Sequence, residues 1–393
     1  MREIAAALAL VDFEKKKIKI KKIKNYFCDN DEGFGEEDLV KILTKEIKKI
    51  SKKTPAIISF EQPFIKSTKT RLSVVRDNPL TAIDHEELEN VILNLIWRLY
   101  DKERIFVGQK MKISEWDVVL AHSKLSDPRI DDKRVLNPLG FTGKTFSFCV
   151  ENVYMHCLFW EAVKNVLEQW GGELLFIGEK NLIFDKTFSL INNIEKNILV
   201  EIGYTITSAG LITDYLNTAK YFDWGEKNLL LAISQNLSVS LTTATEIKNK
   251  YENGDLSENA SNWLKKLFDK ELKILLDGVN LTAKEISPKE KIEGFYLIGL
   301  LKNFPGLIES FEKNHWPVSI FKTPVNIIYY DNERFLSDLE IEVEDNRAAN
   351  ISFNLIPNLV YPFVSEPKYE EMNKILKRRI KWLNQNLLKN YKK

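Results

Sequence analysis

The tripeptide Gly143-Lys144-Thr145 has the composition of the end of a P-loop, a motif that binds the phosphates of a nucleotide. The complete motif has another glycine five residues before the position of Gly143, and Pro138 occupies that place. The motif also opens a helix, whereas residues 146–150 alternate as in a strand. Without a row of backbone N–H donors at a helix N-terminus, we expect no triphosphate site here.

Residues that could act as metal ligands or catalytic nucleophiles are scattered along the chain. The four histidines are His85, His122, His156 and His315, and only His156 has a neighbouring cysteine, Cys157. Adjacent helical positions point about 100° apart, so two neighbours do not readily share an ion. Cys-x-x-Cys, His-x3-His and Gly-x-Ser-x-Gly are all absent. The spacing therefore predicts no metal site and no Ser/His/Asp arrangement.

The C-terminal segment carries the most informative pattern. Apolar residues recur there at steps of four, four, three, four and four: Met372, Leu376, Ile380, Leu383, Leu387 and Tyr391. Residues 372–393 also contain eight basic residues and no acidic ones, while the other 371 residues hold 49 basic and 56 acidic ones. A helix with one apolar face, a cationic face and a tryptophan is suited to lie in a lipid headgroup layer.

This pattern predicts an amphipathic helix that binds an anionic membrane from its cytoplasmic side. The residues expected to contact lipid are Leu376, Arg378, Arg379, Ile380, Lys381, Trp382, Leu383, Leu387, Leu388 and Lys389. The alternative is a terminal helix that docks on the body of the protein. The clustering of positive charge in this segment favours the membrane-binding helix over the docked helix.

Composition limits the remaining function classes. The chain has 393 residues, of which 44% are hydrophobic and 29% charged, as in a globular protein with more than one domain. The net charge of +1 excludes a globally basic nucleic-acid binder. Three scattered cysteines exclude a disulfide scaffold and fit a reducing compartment. No apolar run reaches membrane-spanning length, and the segment 1–10 lacks the features of a signal peptide.

Hydrophobic periodicity predicts alternating strands and helices of an α/β protein with two similar halves. Strands are expected at 4–13, 16–24, 56–60, 72–75, 115–122, 145–152, 198–202, 205–211 and 295–298. Helices are expected at 36–52, 84–100, 157–170, 226–252, 257–276 and 305–314. The lysine-rich segment 15–24 is interpreted as a half-buried strand with a solvated face. Asp84 and Glu87 form a capping box at the start of their helix.

Several segments, in order, resemble the bacterial division actin FtsA of the actin/Hsp70/sugar-kinase superfamily. Asn137–Gly143 looks like the family's N-P-x-G-x-S/T-G run. The other similar segments are Thr81–Val91, Leu199–Thr207, Thr245–Gly254, Phe295–Leu307 and Arg379–Lys389. The resemblance implies a two-lobed, actin-like (ASKHA, RNase H-like) α/β fold with an inserted subdomain 1C.

The resemblance also implies a domain organisation. Residues 1–77 and 153–196 would form the first half, 1A, with 78–152 as the inserted subdomain. Residues 197–365 would form the second half, 2A, with 2B around 225–295. Residues 366–393 would be the basic tail helix.

The nucleotide loops expected from the resemblance are degenerate. The family's first phosphate loop, D-I-G-T, is matched to residues 3–6, and its second, D-I-G-G-G-T, to 201–205. The positions that would face nucleotide are Glu3, Ala5, Ala6, Glu201, Gly203, Tyr204, Thr205, Thr245, Lys248, Gly299 and Leu300. Ala5, Tyr204, Thr205 and Leu300 carry side chains where the family has glycines that let a backbone approach phosphate. We therefore expect no enzyme activity and no required cofactor, with weak ATP and Mg²⁺ binding as the alternative.

The sequence thus favours an FtsA-like peripheral membrane adaptor of cell division. It would link the inner membrane to a cytosolic filament such as FtsZ or bind other division proteins, with self-association as an additional property and no nucleic acid. The alternatives are a PilM-like platform protein of pilus assembly on the same fold and, less favoured, an ATP-using enzyme of the superfamily.

Overall fold

The computed structural model of the chain describes nine stretches and one further residue. These are residues 3–27, 34–60, 64–191, 197–212, 219–286, 291–301, 304–344, 355–364, 369–378 and 380. The strands are β1 (Glu3–Asp12), β2 (Lys17–Phe27), β3 (Ala56–Phe60), β4 (Ile65–Val75), β5 (Val118–Ile130), β6 (Lys133–Arg134), β7 (Thr145–His156), β8 (Leu174–Glu179), β9 (Asn197–Ile202), β10 (Thr207–Leu211), β11 (Lys220–Phe222), β12 (Ile292–Gly299), β13 (Phe321–Tyr329) and β14 (Glu342–Val343). The helices are α1 (Glu36–Ile47), α2 (His85–Met111), α3 (Cys157–Trp170), α4 (Lys180–Phe188), α5 (Glu226–Leu237), α6 (Leu241–Asn253), α7 (Glu258–Glu285), α8 (Leu307–Lys313), α9 (Asn332–Asp338) and α10 (Ile356–Val360).

The described residues divide into two compact units. The first contains those within Phe27–Phe184 and from Tyr361 onward, and the second contains those within Arg2–Tyr26 and Asp185–Val360. The domain boundaries predicted from the sequence differ at three places: they assign the N-terminal hairpin and residues 185–191 to the first half and residues 361–364 to the second.

The first unit is built on a four-stranded antiparallel sheet in the order β4-β7-β5-β6. Helix α2 packs on this sheet, and apolar residues of α2, β5 and β7 form one buried cluster. The predicted N-cap of this helix is confirmed, because the Asp84 carboxylate accepts a hydrogen bond from the Glu87 amide at 2.8 Å. The Glu87 carboxylate, which was predicted to complete a capping box, instead accepts a hydrogen bond from Arg76 Nε at 2.6 Å. A separate parallel pair, β3-β8, lies in the same unit with α1 and α3.

The second unit contains a five-stranded sheet in the order β11-β10-β9-β12-β13. Strands β9, β10 and β11 are antiparallel, while β12 is parallel to both β9 and β13. Helices α5, α6, α7 and α8 cover the sheet around a large aromatic and aliphatic core. The helix predicted over 226–252 is broken, because Ser238 is left-handed and Ser240 caps a new helix through the Thr243 amide.

A small sheet in the order β1-β2-β14 belongs to the second unit. The prediction of a half-buried lysine-rich strand is confirmed in β2, where Ile18 and Ile20 are buried. Two lysines of this strand form ion pairs at the adjoining strand, Lys17 with Glu342 at 2.7 Å and Lys19 with Glu344, just after that strand, at 3.2 Å.

Within the part of the chain that the structure describes, no helix combines the length and apolar character needed to cross a membrane.

Candidate functional site

The second predicted phosphate loop is the turn that joins β9 to β10. Ile202 pairs with Thr207 across the antiparallel strands, which leaves residues 203–206 as the turn and confirms the predicted hairpin. The Gly203 amide donates a hydrogen bond to the Ile206 carbonyl at 3.0 Å. A Cβ atom on Gly203 would lie 2.7 Å from that carbonyl oxygen, so glycine has a purely structural reason to be here.

The carbonyl groups of this turn face the N-terminus of α5. The Glu226 amide donates to the Gly203 carbonyl at 3.0 Å, and the Lys227 amide donates to the Tyr204 carbonyl at 2.8 Å. Free amides at a helix N-terminus are a natural binding site for phosphate. Two of these amides in α5 are therefore already satisfied by the chain's own carbonyl oxygens.

Lys248 of α6 lies in a buried ion-pair cluster. Its Nζ lies 2.9 Å from Oε1 of Glu226 and 2.9 Å from Oε1 of Glu252, and its side chain is only 4% exposed. Burial alone would lower the pKa of Lys248, but the two carboxylates outweigh it, so this pKa is raised above its ordinary value. The lysine is charged at neutral pH, and its charge is committed to protein partners.

The predicted adenosine loop lies beside the phosphate loop because β9 and β12 are parallel neighbours. Gly299 pairs with Ile202 in this register, and the Leu300 amide donates to the Ile202 carbonyl at 3.0 Å. Gly299 has a φ of +115°, and an added Cβ would lie 2.1 Å from that carbonyl oxygen, so only glycine fits. Leu300 is exposed, and the Tyr329 hydroxyl donates to the Gly299 carbonyl at 2.8 Å.

The other predicted residues of this site are used in local packing. Glu201 is buried in β9, while the Tyr204 ring packs against the core of the second unit. The Thr245 hydroxyl donates to the Leu241 carbonyl of its own helix at 2.9 Å. Thr205 is exposed at the turn.

The structure therefore brings the second phosphate loop, the adenosine loop and Lys248 together, with Glu226 as the link. Lys248 carries one positive charge against the two negative charges of Glu226 and Glu252, so the trio has a net charge of −1. A cluster of this sign repels the phosphates of a nucleotide. The arrangement stabilises the second unit and offers no cationic group to an anion from within the trio.

The first predicted phosphate loop is placed differently. Ala5 and Ala6 lie inside strand β1, as does the backbone of Glu3, and none of the three is in a turn. The turn of this hairpin is residues 13–16, where the Lys15 amide donates to the Asp12 carboxylate at 3.1 Å. The strand predicted at 4–13 is confirmed as β1, shifted by one residue, and the turn contains no glycine.

The run Asn137–Gly143 is a structural loop of the first unit. The Gly140 amide donates to the Ile83 carbonyl at 2.9 Å, and the Ile83 amide donates to the Phe141 carbonyl at 2.9 Å. This loop thereby supports the residues just before α2. Thr145 is the last residue of the tripeptide Gly143-Lys144-Thr145 and starts strand β7 rather than a helix. This confirms that the tripeptide is not part of a P-loop.

The C-terminal helix docks on the first unit in its described part. Residues 370–378 are helical, and Leu376 is fully buried in the cluster that α2, β5 and β7 form. Asn373 clamps this helix to β5, because its side chain accepts from the Leu125 amide at 2.9 Å and donates to the Leu125 carbonyl at 3.0 Å.

The prediction that Leu376 contacts lipid is therefore wrong in this structure, because protein already covers it. Ile380 is half-buried against the same core, and Arg378 is exposed. The remaining predicted lipid contacts lie outside the described residues: Arg379, Lys381, Trp382, Leu383, Leu387, Leu388 and Lys389.

Sequence reasoning missed the two glutamates that neutralise Lys248. Glu252 follows Lys248 by four positions on one helix, a spacing that predicts an ion pair. Glu226 is on another helix, 22 residues earlier, and no local pattern indicates it.

The structure is similar to that of PilM in a PilM–PilN type IV pilus biogenesis complex. The two are 14% identical over 93% of this chain and 96% of that chain, with a TM-score of 0.56. The ethanolamine utilization protein EutJ from Carboxydothermus hydrogenoformans is 15% identical over 53% of this chain and 61% of that chain, with a TM-score of 0.32. An archaeal actin homolog is 10% identical over 48% of this chain and 55% of that chain, also with a TM-score of 0.32. Neither a family model nor a curated protein matches the sequence.

The prediction of an actin-like α/β fold is confirmed by the first of these similarities together with the observed sheets and helices. At 14% identity, the likeness shows the fold and not the family or its function.

Proposed function

We propose that this chain is an actin-fold scaffold that binds other proteins and does not use ATP. The observation that carries the proposal is the state of the candidate nucleotide site in the second unit. Lys248 is held between Glu226 and Glu252, and two amides of the α5 N-terminus bond the turn carbonyls. A site whose cation and amide donors are both committed has lost the groups that hold phosphate.

Two kinds of assembly fit such a scaffold. The ordered resemblance to FtsA favours an adaptor of cell division that links the inner membrane to an FtsZ-like filament. The similarity to PilM, which extends over 93% of this chain, favours a platform of a pilus-type assembly. In both cases, the chain acts by binding protein partners rather than by catalysis.

Contact with an anionic membrane surface is assigned to the residues beyond Ile380. That segment keeps Lys381, Lys389, Lys392 and Lys393 and has no acidic residue. Each basic residue near an anionic surface contributes about 1 kcal/mol, and salt weakens this attraction. The docked helix before it anchors the segment to the first unit.

The decisive experiment measures binding of the full chain to the FtsZ-type and PilN-type proteins of its own genome, by biolayer interferometry. We expect saturable binding to one of them, unchanged by added ATP and Mg²⁺. Binding to neither, together with steady ATP hydrolysis, would contradict the scaffold proposal.

Liposome flotation tests the membrane part separately. The matched variants are a truncation after Ile380, which keeps the docked helix, and a Leu383→Glu/Leu387→Glu double variant. We expect the full chain to float with anionic liposomes at low salt and both variants to stay in solution. If the full chain stays in solution as well, the membrane assignment fails while the scaffold proposal stands on partner binding.

A further inference from the structure

Four side chains of the first unit converge where strand β7 runs into helix α3. His156 ends β7, Cys157 opens α3, Asp117 immediately precedes β5, and Glu36 opens α1. One ligand atom each from Asp117, His156 and Cys157 lie within 4.8 Å of one another. The Glu36 Oε2 atom lies 3.6 Å from His156 Nδ1.

Strand register explains three of these positions. Val118 of β5 pairs with His156 of β7 in the antiparallel sheet. Because the strands run in opposite directions, the residue before Val118 and the residue after His156 are neighbours, which places Asp117 beside Cys157. Helix α1 packs against α3 and brings its first residue, Glu36, to the same place.

The local backbone allows His156 and Cys157 to bind one ion although they are adjacent in sequence. His156 is the N-cap of α3 with φ −63° and ψ 136°, so it is extended, and only Cys157 is helical. Neighbouring side chains point about 100° apart only where both residues are helical, which is not the case at this junction.

The His156 side chain also has no role in capping the helix. Ser, Thr, Asp and Asn are the usual N-cap residues, and the His156 side chain makes no cap hydrogen bond. Its Nδ1 atom is buried and makes no hydrogen bond, and the Glu36 carboxylate, 3.6 Å away, lies just beyond hydrogen-bond distance. Buried polar atoms nearly always have a partner, so an ion between this nitrogen and the carboxylate would satisfy both groups.

We propose that Asp117, His156 and Cys157 bind a zinc-class divalent cation, with Glu36 as the fourth ligand. A thiolate, an imidazole and carboxylates form a set that Zn²⁺ accepts, whereas Ca²⁺ and Mg²⁺ prefer oxygen alone. Zinc bonds of about 2.0–2.3 Å separate tetrahedral ligands by about 3.3–3.8 Å. Small side-chain rotations therefore bring the present atoms into range.

Charge and position suggest a structural role for the ion. The thiol of Cys157 releases its proton on binding, and the thiolate and the carboxylates of Asp117 and Glu36 then bring three negative charges against the two positive charges of the ion, a net charge of −1. The ion would join the starts of α1, β5 and α3, which are far apart in sequence. Its binding free energy would add to the stability of the first unit.

Cobalt provides a visible probe for the site in the full-length protein. We expect Co²⁺ to bind with one equivalent, to give thiolate-to-cobalt charge-transfer and tetrahedral d–d absorption, and to be displaced by Zn²⁺. Zinc should also raise the melting temperature, and a chelator should reverse this rise. Failure to saturate below about 0.1 mM metal, or binding without a thiolate band, would overturn the proposal.

Substitutions identify the ligands. Cys157→Ser should abolish the charge-transfer band, while Cys149→Ser, at a second buried cysteine, should leave it intact. Asp117→Asn and His156→Gln change half-buried side chains, so they serve even if Cys157→Ser fails to fold. Each should weaken Co²⁺ binding by more than about tenfold, since even a residue that only supports a ligand is worth that much. Wild-type affinity in both variants would overturn the assignment.

Discussion

Glu103 in the first unit and Lys248 in the second are both buried charges, but they are satisfied in different ways. Glu103 accepts hydrogen bonds from four neutral groups: the Thr68 hydroxyl at 2.7 Å, the Thr70 hydroxyl at 3.0 Å, the Asn152 amide at 3.0 Å and the Tyr154 hydroxyl at 2.6 Å. Lys248 is held by two opposite charges. The first arrangement fixes a helix on a sheet, and the second joins two helices.

The difference shows what the buried charge at the candidate nucleotide site does in this structure. The Glu103 network ties α2 to β4 and β7, where the resemblance to known families expects no ligand. Lys248 occupies a position where the resemblance expects a nucleotide contact, and here its charge stabilises the contact between α5 and α6. The two carboxylates occupy two of the three donors of the Lys248 ammonium, and their negative charges oppose its attraction for a phosphate.

The largest effect is expected from Lys248→Met. This variant leaves Glu226 and Glu252 facing each other without a counter-ion, and breaking a buried pair costs about 3 kcal/mol or more. Because the two glutamates are 17% and 15% exposed, we expect the lower end of that range. Urea unfolding measures the loss, with Lys250→Met on the exposed face of the same helix as control. Equal stability of the two variants would contradict the role of the cluster.

A smaller loss is expected from Glu103→Gln. The glutamine keeps the shape of the side chain, but its amide presents donors to a pocket that supplies donors, and hydrogen bonds to a charged group contribute about 1.5–3 kcal/mol. We expect a destabilisation of about 2 kcal/mol. The control is Glu86→Gln, which lies exposed on the same helix. A loss no greater than that of the control would show that the network contributes little.

A variant that removes all three charges of the Lys248 cluster separates the effect of charge from that of packing. The triple change Lys248→Met/Glu226→Gln/Glu252→Gln removes both signs of charge, so no unpaired ion remains. Replacing a buried ion pair by neutral groups is often close to neutral in stability. We expect the triple variant to lie within about 1 kcal/mol of wild type in urea unfolding, clearly above Lys248→Met. If it is as unstable as the single variant, the loss comes from packing rather than charge.

The pH dependence of the Lys248 cluster follows from the raised pKa. Since the folded pKa exceeds the ordinary value of 10.5, the contribution is complete below that value and is lost as the pH rises through the folded pKa. The stability gap between wild type and the triple variant should therefore be constant from pH 7 to about 10 and narrow above that. Unfolding curves over this range measure it, and a gap that widens with pH would have the wrong sign.

The smallest effect is expected from restoring glycines. Tyr204→Gly and Leu300→Gly reopen two positions where glycine lets a backbone approach phosphate, but they leave Lys248 paired and the α5 amides bonded. We expect neither variant, nor their combination, to gain measurable ATP binding by calorimetry. A gain to micromolar affinity would show that side-chain bulk alone closes the site.

Local patterns predicted much of the fold. The apolar run 198–202 and the segment 205–211 predicted the β9–β10 hairpin, and isoleucines interleaved with lysines predicted the half-buried strand β2. Asp84 correctly predicted the start of α2. The predicted helix ended at Tyr100, but no residue there has a strong tendency to stop a helix, and α2 continues to Met111. The break between α5 and α6 depends on Ser238 and Ser240, whose capping role becomes clear only in three dimensions.

The candidate site was harder to predict, because contacts between distant segments decide it. The sequence predicted the apolar stripe through Leu376, but an apolar stripe alone does not indicate whether lipid or protein covers it. Among the described residues of that helix, Asn373, which bonds the β5 backbone, is a polar signal for docking. Glu226 had no signal at all, since its partner Lys248 lies on another helix.

Isothermal titration calorimetry of ATP with Mg²⁺ into the full-length protein tests the central claim most directly. With Lys248 paired and the α5 amides bonded, we predict an affinity poorer than about 1 mM, which corresponds to under about 4 kcal/mol of binding free energy. A micromolar dissociation constant that Lys248→Met abolishes would contradict the account, because it would show that this lysine leaves its glutamates to hold the nucleotide.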